Sequence, residues 1–444
     1  MKRTLMVLAL VAIMFGMAAA TETRVATFGP ASMFINDYTD IYFLPANAVY
    51  YPRLIAAEMG ASFPVTSDYG WSEGSAAMLF SNAEQTFGVV GFDINHGIEG
   101  SDFLTNAVTN VNAGFGAFGI NIPTPDNRFH LFYAKKLNNL TAGLHVGWAG
   151  SSLTSENTDT ANTYNQKYEG SSGIWLINGE VMMEVNENTS AELAVGLMMQ
   201  SFKGEQAETW RDPTLDVPGY NYTYTVESDG GMGLDLELRA EYGMSDNLKL
   251  IPIIGFGTNS IEYKDGLSGS PVAVLPIGGK ISTSNFGGAF GGNYKPAENV
   301  TIVGGLFMGS DKETIEDTNA VFGTGIMKEE TSNFVFPGFC AGLEVDMLKW
   351  LTLRAGAAKT LISTTTLDET NATKDESTYT SAPYFYAFGL GFKFGKLAVD
   401  VKMNNNAPYS LGYFMSGIDN DGTMYDGTLT HTEPITSIGM TYAF

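Results

Sequence analysis

Charged side chains are scarce in this sequence, and those present are mostly acidic. Only 16% of the 444 residues are charged, against roughly 25% in an average soluble domain. The chain has 24 Lys and Arg but 48 Asp and Glu, so it lacks the basic surface that binds the phosphates of nucleic acids. Its single Cys excludes an intramolecular disulfide and a cluster of Cys metal ligands.

Long apolar runs are also missing after the first 20 residues. No later stretch approaches the length of about 18 consecutive apolar residues that a transmembrane helix requires. Glycine is abundant, at 51 residues, and aromatic residues make up 12% of the chain. Glycine is typical of tight turns, and aromatic side chains favour the pleated surface of a sheet. The composition therefore indicates an all-β protein.

The first 20 residues have the three parts of a secretory signal peptide. A basic start at residues 2–3 precedes an apolar run at residues 5–15, and small residues at 18–20 provide a cleavage site. A signal anchor is the alternative, but the apolar run is well short of the about 20 residues that span a bilayer. We expect cleavage after Ala20, which places the mature chain outside the inner membrane as a soluble protein or a β-barrel.

Apolar and polar residues alternate with a period of two from about Phe129 onward. In residues 232–242, every second residue from Leu234 to Tyr242 is apolar, and the residues between them are Asp, Glu and Arg. This period is typical of a β-strand with one apolar face, because a helix would mix the two sets. The sequence therefore predicts a series of strands.

The connections between these strands alternate between short and long. Short polar turns fall near residues 137–140, 186–189, 244–247, 295–298, 346–349 and 395. Long polar connections are predicted at residues 151–170, 204–230, 263–279, 312–332, 364–381 and 405–432. Outer-membrane barrels have short periplasmic turns and longer extracellular loops, whereas a soluble sandwich has no reason to alternate them. The pattern predicts a transmembrane antiparallel β-barrel (residues 54–444) in a bacterial outer membrane, surrounded by lipid and carrying acidic extracellular loops that attract cations.

The last nine residues have the pattern of a final barrel strand. Apolar residues alternate with small ones, and the chain ends on Phe444. This pattern resembles the carboxy-terminal signature that the barrel-assembly machinery recognises, so that machinery is an expected partner. Aromatic residues beside the short turns and the final end are expected to form a periplasmic girdle; they are Tyr242, Tyr294, Trp350 and Tyr442.

The number of strands is predicted to be 14 or 16, and 16 is favoured. Thirteen segments follow from about Phe129, and residues 114–121 would form a fourteenth strand. A hairpin at residues 75–80 and 86–93 would make sixteen. Residues 54–61 are a seventeenth candidate, which conflicts with the even strand numbers of single-chain bacterial barrels.

Residues 24–53 lack clean alternation. Positions 34–46 read Phe-Ile-Asn-Asp-Tyr-Thr-Asp-Ile-Tyr-Phe-Leu-Pro-Ala, which resembles the amino-terminal region of the long-chain fatty-acid transporter (FadL-like) family. The resemblance implies a hatch inside the barrel and a hydrophobic ligand. The residues themselves support a compact plug within residues 21–53, whose polar groups bond lumen-facing strands; an ordinary periplasmic lead-in to the first strand is the alternative. The predicted plug residues are Asn36, Asp37, Asp40 and Pro45.

Charged residues of both signs recur on the polar faces of the predicted strands. In a barrel these faces line the lumen, where hydrated charges set selectivity. The alternative is mutual salt bridging that only fills the interior, because opposite charges on adjacent strands pair. The predicted lumen residues are Glu180, Glu184, Glu192, Asp235, Glu237, Arg239, Glu241, Arg354, Lys393, Asp400 and Lys402.

No residue pattern indicates catalysis, a metal site or a cofactor. His130 and His145 are expected on one inward face, but no Asp or Glu lies on their two segments, so a polar lumen pair is preferred. No Ser-containing motif suggests a hydrolase nucleophile. Asp419, Asp421 and Asp426 offer oxygen ligands for a hard cation, but the full calcium-loop pattern is absent and a solvated turn is preferred.

The sequence therefore predicts a channel or transporter for the passive uptake of small solutes, which the family resemblance would make hydrophobic. A non-conducting barrel with a structural, adhesive or secretion-partner role is the alternative. A barrel hydrolase is a third hypothesis, and no enzyme activity is expected. The solute, the openness of the lumen and the oligomeric state are not predicted.

Overall fold

The computed structural model describes residues 21–60, 74–82, 84–98, 101–116, 119–159, 164–210, 221–269, 278–319, 325–369, 373–403 and 435–444. The predicted signal peptide at residues 1–20 lies outside these ranges, as do Asp419, Asp421 and Asp426. The described residues include two α-helices, α1 (Glu22–Phe28) and α2 (Ser101–Phe115), and three 3₁₀ helices, Gly29–Phe34, Tyr38–Tyr42 and Pro45–Tyr50. The strands are β1 (Arg53–Gly60), β2 (Gly74–Phe80), β3 (Val89–Ile94), β4 (Asn127–Leu137), β5 (Leu140–Thr158), β6 (Tyr164–Asn186), β7 (Thr189–Trp210), β8 (Asn221–Ser245), β9 (Leu248–Ser268), β10 (Gly278–Ala297), β11 (Val300–Asn319), β12 (Gly325–Leu348), β13 (Leu351–Glu369), β14 (Lys374–Ser381), β15 (Tyr384–Phe394), β16 (Leu397–Met403) and β17 (Ile435–Ala443). Within the described part of the chain, no helix is both long and apolar enough to cross a membrane.

All strands belong to one antiparallel sheet that closes on itself. Consecutive strands pair with one another except β14 and β15, and β1 pairs with both β2 and β17. β14 and β15 both pair with β13, on either side of a break at residues 382–383, so together they occupy one position in the wall. The barrel therefore has 16 positions around its circumference, which confirms the favoured prediction.

One of the predicted strands is wrong. Residues 114–121 do not form a strand, because α2 ends at Phe115 and the described residues after it are turns or irregular. The sixteenth position is β1, the segment that is the extra candidate in the sequence. Burial without pairing explains the error, since Ile120 is buried in the same apolar cluster as α2 but lies in irregular chain.

The outer wall of the barrel is apolar. Residues that alternate outward on neighbouring strands are large and exposed, as for Leu236, Phe256 and Phe286 on β8, β9 and β10. On β17, Met440 is exposed whereas Thr441 is buried, as the alternation predicts. An apolar surface of this extent requires lipid around it, so the chain is an outer-membrane β-barrel. The predicted girdle residues are all exposed: Tyr242, Tyr294, Trp350 and Tyr442.

The wall is taller on one side than on the other. β5 to β13 contain 19 to 25 residues each, whereas a tilted strand crosses a bilayer in about 9–11 residues. The prediction of long loops is therefore wrong for five of the six connections, because nearly all of their described residues are strand. The period-two signal fades there because outward-facing residues beyond the lipid meet water and are polar. The sixth predicted loop, residues 405–432, lies outside the described residues.

Helices occupy the inside of the barrel. The N-terminal segment (residues 21–51) packs against β4 to β6, β10 to β13 and β15 to β17. α2, in the connection between β3 and β4, packs its apolar face against inward-facing residues that include Ile174 and Leu176 of β6. Buried apolar clusters therefore fill much of an interior that the strand pattern predicts to be polar.

Candidate functional site

Local sequence signals shape the N-terminal segment. Thr21 caps α1 by accepting a hydrogen bond from the Arg24 amide. Asp37 caps the 3₁₀ helix Tyr38–Tyr42 and forms a capping box with Asp40, so both acidic residues that the sequence assigns to a plug stabilise its backbone. Pro45 begins the next 3₁₀ helix, where its fixed φ is favourable.

The start of the segment is held by a network of buried charges. Arg24 donates from Nε and Nη2 to the two carboxylate oxygens of Glu344 on β12, at 2.8 and 3.1 Å, and from Nη1 to Asp37 at 3.0 Å. Arg354 on β13 donates to the same Glu344 at 2.6 Å and also to Asp400 on β16. The Thr21 hydroxyl donates to Asp400 at 2.9 Å. Two predicted lumen residues, Arg354 and Asp400, therefore help to anchor α1.

A second network holds the middle of the segment. The Asn36 side chain donates to Glu241 at 2.6 Å and accepts from Arg239 at 2.5 Å, both on β8. Arg239 also lies 3.8 Å from Asp40 and 4.0 Å from Glu192 on β7. The predicted lumen and plug residues therefore meet here, and Arg239 connects them.

The end of the segment is held through its backbone. Glu180 on β6 accepts a hydrogen bond from the Ala46 amide at 2.6 Å. Asn178, two residues earlier on the same face, donates to the carbonyls of Tyr42 and Phe43 at 3.2 and 2.7 Å. The sequence prediction omits Asn178, although its inward position follows from the same alternation as Glu180.

The two lumen histidines also contact this segment. His130 and His145 are buried on the inward faces of β4 and β5, with Nδ1 of His130 2.8 Å from Nε2 of His145. Nδ1 of His145 lies 2.9 Å from the Tyr42 carbonyl oxygen, and Nε2 of His130 lies 3.1 Å from the His96 carbonyl oxygen. Both histidines therefore position backbone, and the described residues contain no group of His, Cys, Asp and Glu suited to a metal ion.

Burial changes the titration of two of the three acidic residues on the segment. Burial raises the pKa of Asp40 to about 7, although the charge of Arg239 opposes the shift. Burial likewise raises the pKa of Asp37 to about 6 against the opposing charge of Arg24. Loss of hydration therefore outweighs ion pairing at both carboxyl groups.

The other predicted lumen residues lie apart from these networks. Glu184 pairs with Lys136 at 2.5 Å near the short turns, and Lys393 pairs with Asp346 at 3.0 Å at the same end. Lys402 is half-buried on the inward face of β16. Asp235 and Glu237, in contrast, line a cavity.

That cavity has a volume of about 360 Å³ and lies between Phe43 of the N-terminal segment and the inner faces of β6 to β12. One row of its wall has no side chains. In this row, the glycine level, the paired inward positions on β9, β10 and β11 are Gly255, Gly287 and Gly309. Phe43 is 48% exposed, although most of the segment around it is buried. The cavity has the size of a small-molecule site.

The fold and interior define an outer-membrane β-barrel with an N-terminal segment packed inside it, and solved structures of such barrels are similar to it. A Pseudomonas aeruginosa homologue of FadL, the family that residues 34–46 resemble, is 13% identical; the match covers 96% of this chain and 98% of that chain with a TM-score of 0.42. The Pseudomonas putida toluene transporter TodX is 11% identical over 95% and 96% of the two chains, with a TM-score of 0.39. The CymD monoaromatic hydrocarbon channel is 10% identical over 97% and 99%, also with a TM-score of 0.39. No family model matches the sequence, and no curated protein matches it significantly.

Proposed function

We propose that this protein is an outer-membrane channel for the passive passage of small solutes, with the N-terminal segment as a plug of its periplasmic half. The cavity above Phe43 carries this proposal. It is large enough for a small solute, and it is bounded on one side by the segment and on the other by the wall. A solute in this cavity would pass inward only when the segment moves.

The anchoring contacts support a plug that can be displaced. They include ion pairs and hydrogen bonds through Arg24, Asn36 and Ala46, and polar contacts of this kind exchange readily with water when a segment moves. Buried apolar contacts of Phe28 and Ile41 add to them and favour the docked position. The carboxylates of the cavity favour cations, because rings of acidic side chains select cations in water-filled pores.

Recordings in planar bilayers test this function. The full-length mature protein should give small single-channel currents, and a variant lacking residues 24–50 should give larger ones. A potassium chloride gradient should give a reversal potential of cation-selective sign. Unchanged conductance in the deletion variant would contradict the plug, and anion preference would contradict the assigned role of the carboxylates.

The second candidate function is a non-conducting barrel that acts through its extracellular side. α2 favours this function, because its apolar face is packed against Ile174, Leu176, Phe202 and other residues of the inner wall. The interior is then occupied on both sides of the cavity. Absence of current from both the full-length and the deletion proteins would support this candidate over the channel.

A further inference from the structure

The glycine level of the cavity wall is an unfilled recess. A Cβ added at Gly255 or Gly287 would meet nothing closer than a backbone oxygen at 3.8 or 3.6 Å. Packing therefore does not require glycine at these two positions. Their lack of side chains leaves the space open, as expected where a ligand approaches the backbone closely.

One edge of the recess is acidic. The next inward level towards the extracellular side carries Asp235, Asn285 and Asp311 on β8, β10 and β11, and Glu237 flanks the glycines on β8. Asp311 accepts a hydrogen bond from Asn333 at 2.8 Å. Asp235 and Glu237 have no ion-pair partner among the described residues, and the buried Oδ2 of Asp235 accepts no hydrogen bond there.

The opposite edge is apolar. The next inward level towards the short turns carries Ile253, Ala289 and Phe307, which pack against the N-terminal segment. The Phe43 ring is exposed to the same space. An apolar group can therefore lie against this edge while a charged group reaches the acidic one.

A buried acceptor adds to the acidic edge. Asn178 lines the cavity and is only 3% exposed. Its amide nitrogen donates to the segment backbone, whereas its Oδ1 has no hydrogen-bond partner among the described residues. Unpaired buried acceptors are costly, and a ligand that donates hydrogen bonds would satisfy this one.

We propose that the recess binds a small organic ammonium ion with an apolar body. This inference rests on the proposed channel function and names the class of its solute. The ammonium group supplies donors to Asp235, Glu237 and Asp311, and the body lies on the glycines beside Phe43, whose ring also attracts cations. An anion would face three carboxylates, and a hydrocarbon would leave them without a counter-charge. A bare metal ion lacks a suitable ligand group among the described residues.

Calorimetry on the purified full-length protein tests the proposal with three matched probes: 2-phenylethylammonium, neutral 2-phenylethanol and methylammonium. The first should bind at least about tenfold more tightly than either of the others, a difference of about 1.4 kcal/mol. Asp235→Asn should weaken its binding by a similar factor. Comparable binding of 2-phenylethanol, or no effect of Asp235→Asn, would overturn the proposal.

A pair of adjacent glycine variants supplies the steric control. Gly287→Leu should abolish binding, because the new side chain fills the recess. Gly288→Leu should leave binding intact, because residue 288 faces lipid. It is a matched control, since an added Cβ has the same 3.6 Å to its nearest neighbour at both positions. Equal effects of the two variants would contradict the proposal. Calorimetry needs no open pore, so failure of the channel function would appear separately as absence of current.

Discussion

Arg24 provides the most direct test of how the N-terminal segment is held. Its guanidinium forms three hydrogen bonds to two carboxylates, and its side chain is 13% exposed. Removing one partner of a buried ion pair costs about 3–5 kcal/mol. The lower end applies to Arg24→Ala, because Glu344 retains Arg354. A loss of about 3 kcal/mol would raise the undocked fraction of the segment about 150-fold.

Hydrogen exchange of the intact protein in detergent measures this change. Amides of residues 22–51 should lose protection in Arg24→Ala by roughly the predicted factor, while the strands keep theirs. Lys167→Ala is the control, because Lys167 pairs with Glu169 on the exposed outer surface and should not affect the segment. Wild-type protection of residues 22–51 in Arg24→Ala would refute the claim that this network anchors the segment.

Three further predictions concern packing, pH and assembly. An added Cβ at Gly342 would overlap the Phe28 ring and lie 2.8 Å from Val303, so by hydrogen exchange Gly342→Ala should reduce segment protection more in the wild-type background than in Phe28→Ala. The pKa of Asp40 in the docked segment is raised to about 7, so its stabilising contribution is complete below the free pKa of about 4 and is lost as the pH rises through 7. Acidification from pH 8 to 5 should therefore increase protection, corrected for intrinsic rates. Asp40→Asn should reduce that dependence and leave the part that Asp37 contributes through its pKa of about 6. Deletion of Phe444 should lower the amount of folded barrel in cell envelopes severalfold, measured by the gel mobility of unheated samples. Unchanged amounts would contradict the predicted recognition of this residue by the assembly machinery.

The barrel wall within the lipid can be predicted from the sequence because one physical constraint acts on every strand there. Lipid requires apolar residues outside, so residues 232–242 show a clear period of two. The same constraint ends where the strands leave the membrane. There the outward residues become polar, and the upper parts of β6 and β7, which carry Lys167 and Lys203, are indistinguishable from loops.

The interior is harder to predict because its partners are distant in sequence. Asp37 and Asp40 can be assigned to a compact segment from their spacing, but their pairing with Arg24 and Arg239 depends on closure of the barrel. The glycine recess shows the same limitation. Gly255, Gly287 and Gly309 look like ordinary strand glycines, and only the register of β9, β10 and β11 places them side by side.

The buried arginines lie where the N-terminal segment closes the lumen, so their position bears on the ion selectivity of the closed and the open pore. Arg24, Arg239 and Arg354 all form ion pairs in the networks that hold the segment, and among the described residues none of the three forms a direct ion pair with a cavity carboxylate. Displacing the segment removes Arg24, Asp37 and Asp40 from the lumen. It exposes Arg239 and Arg354, and it also exposes five carboxylates of the wall: Glu180, Glu192, Glu241, Glu344 and Asp400. The exposed wall is therefore acidic in balance, and the open pore should remain cation-selective. A variant lacking residues 24–50 should accordingly show larger currents with a reversal potential of cation-selective sign, and anion preference in this variant would mean that the exposed arginines set the selectivity.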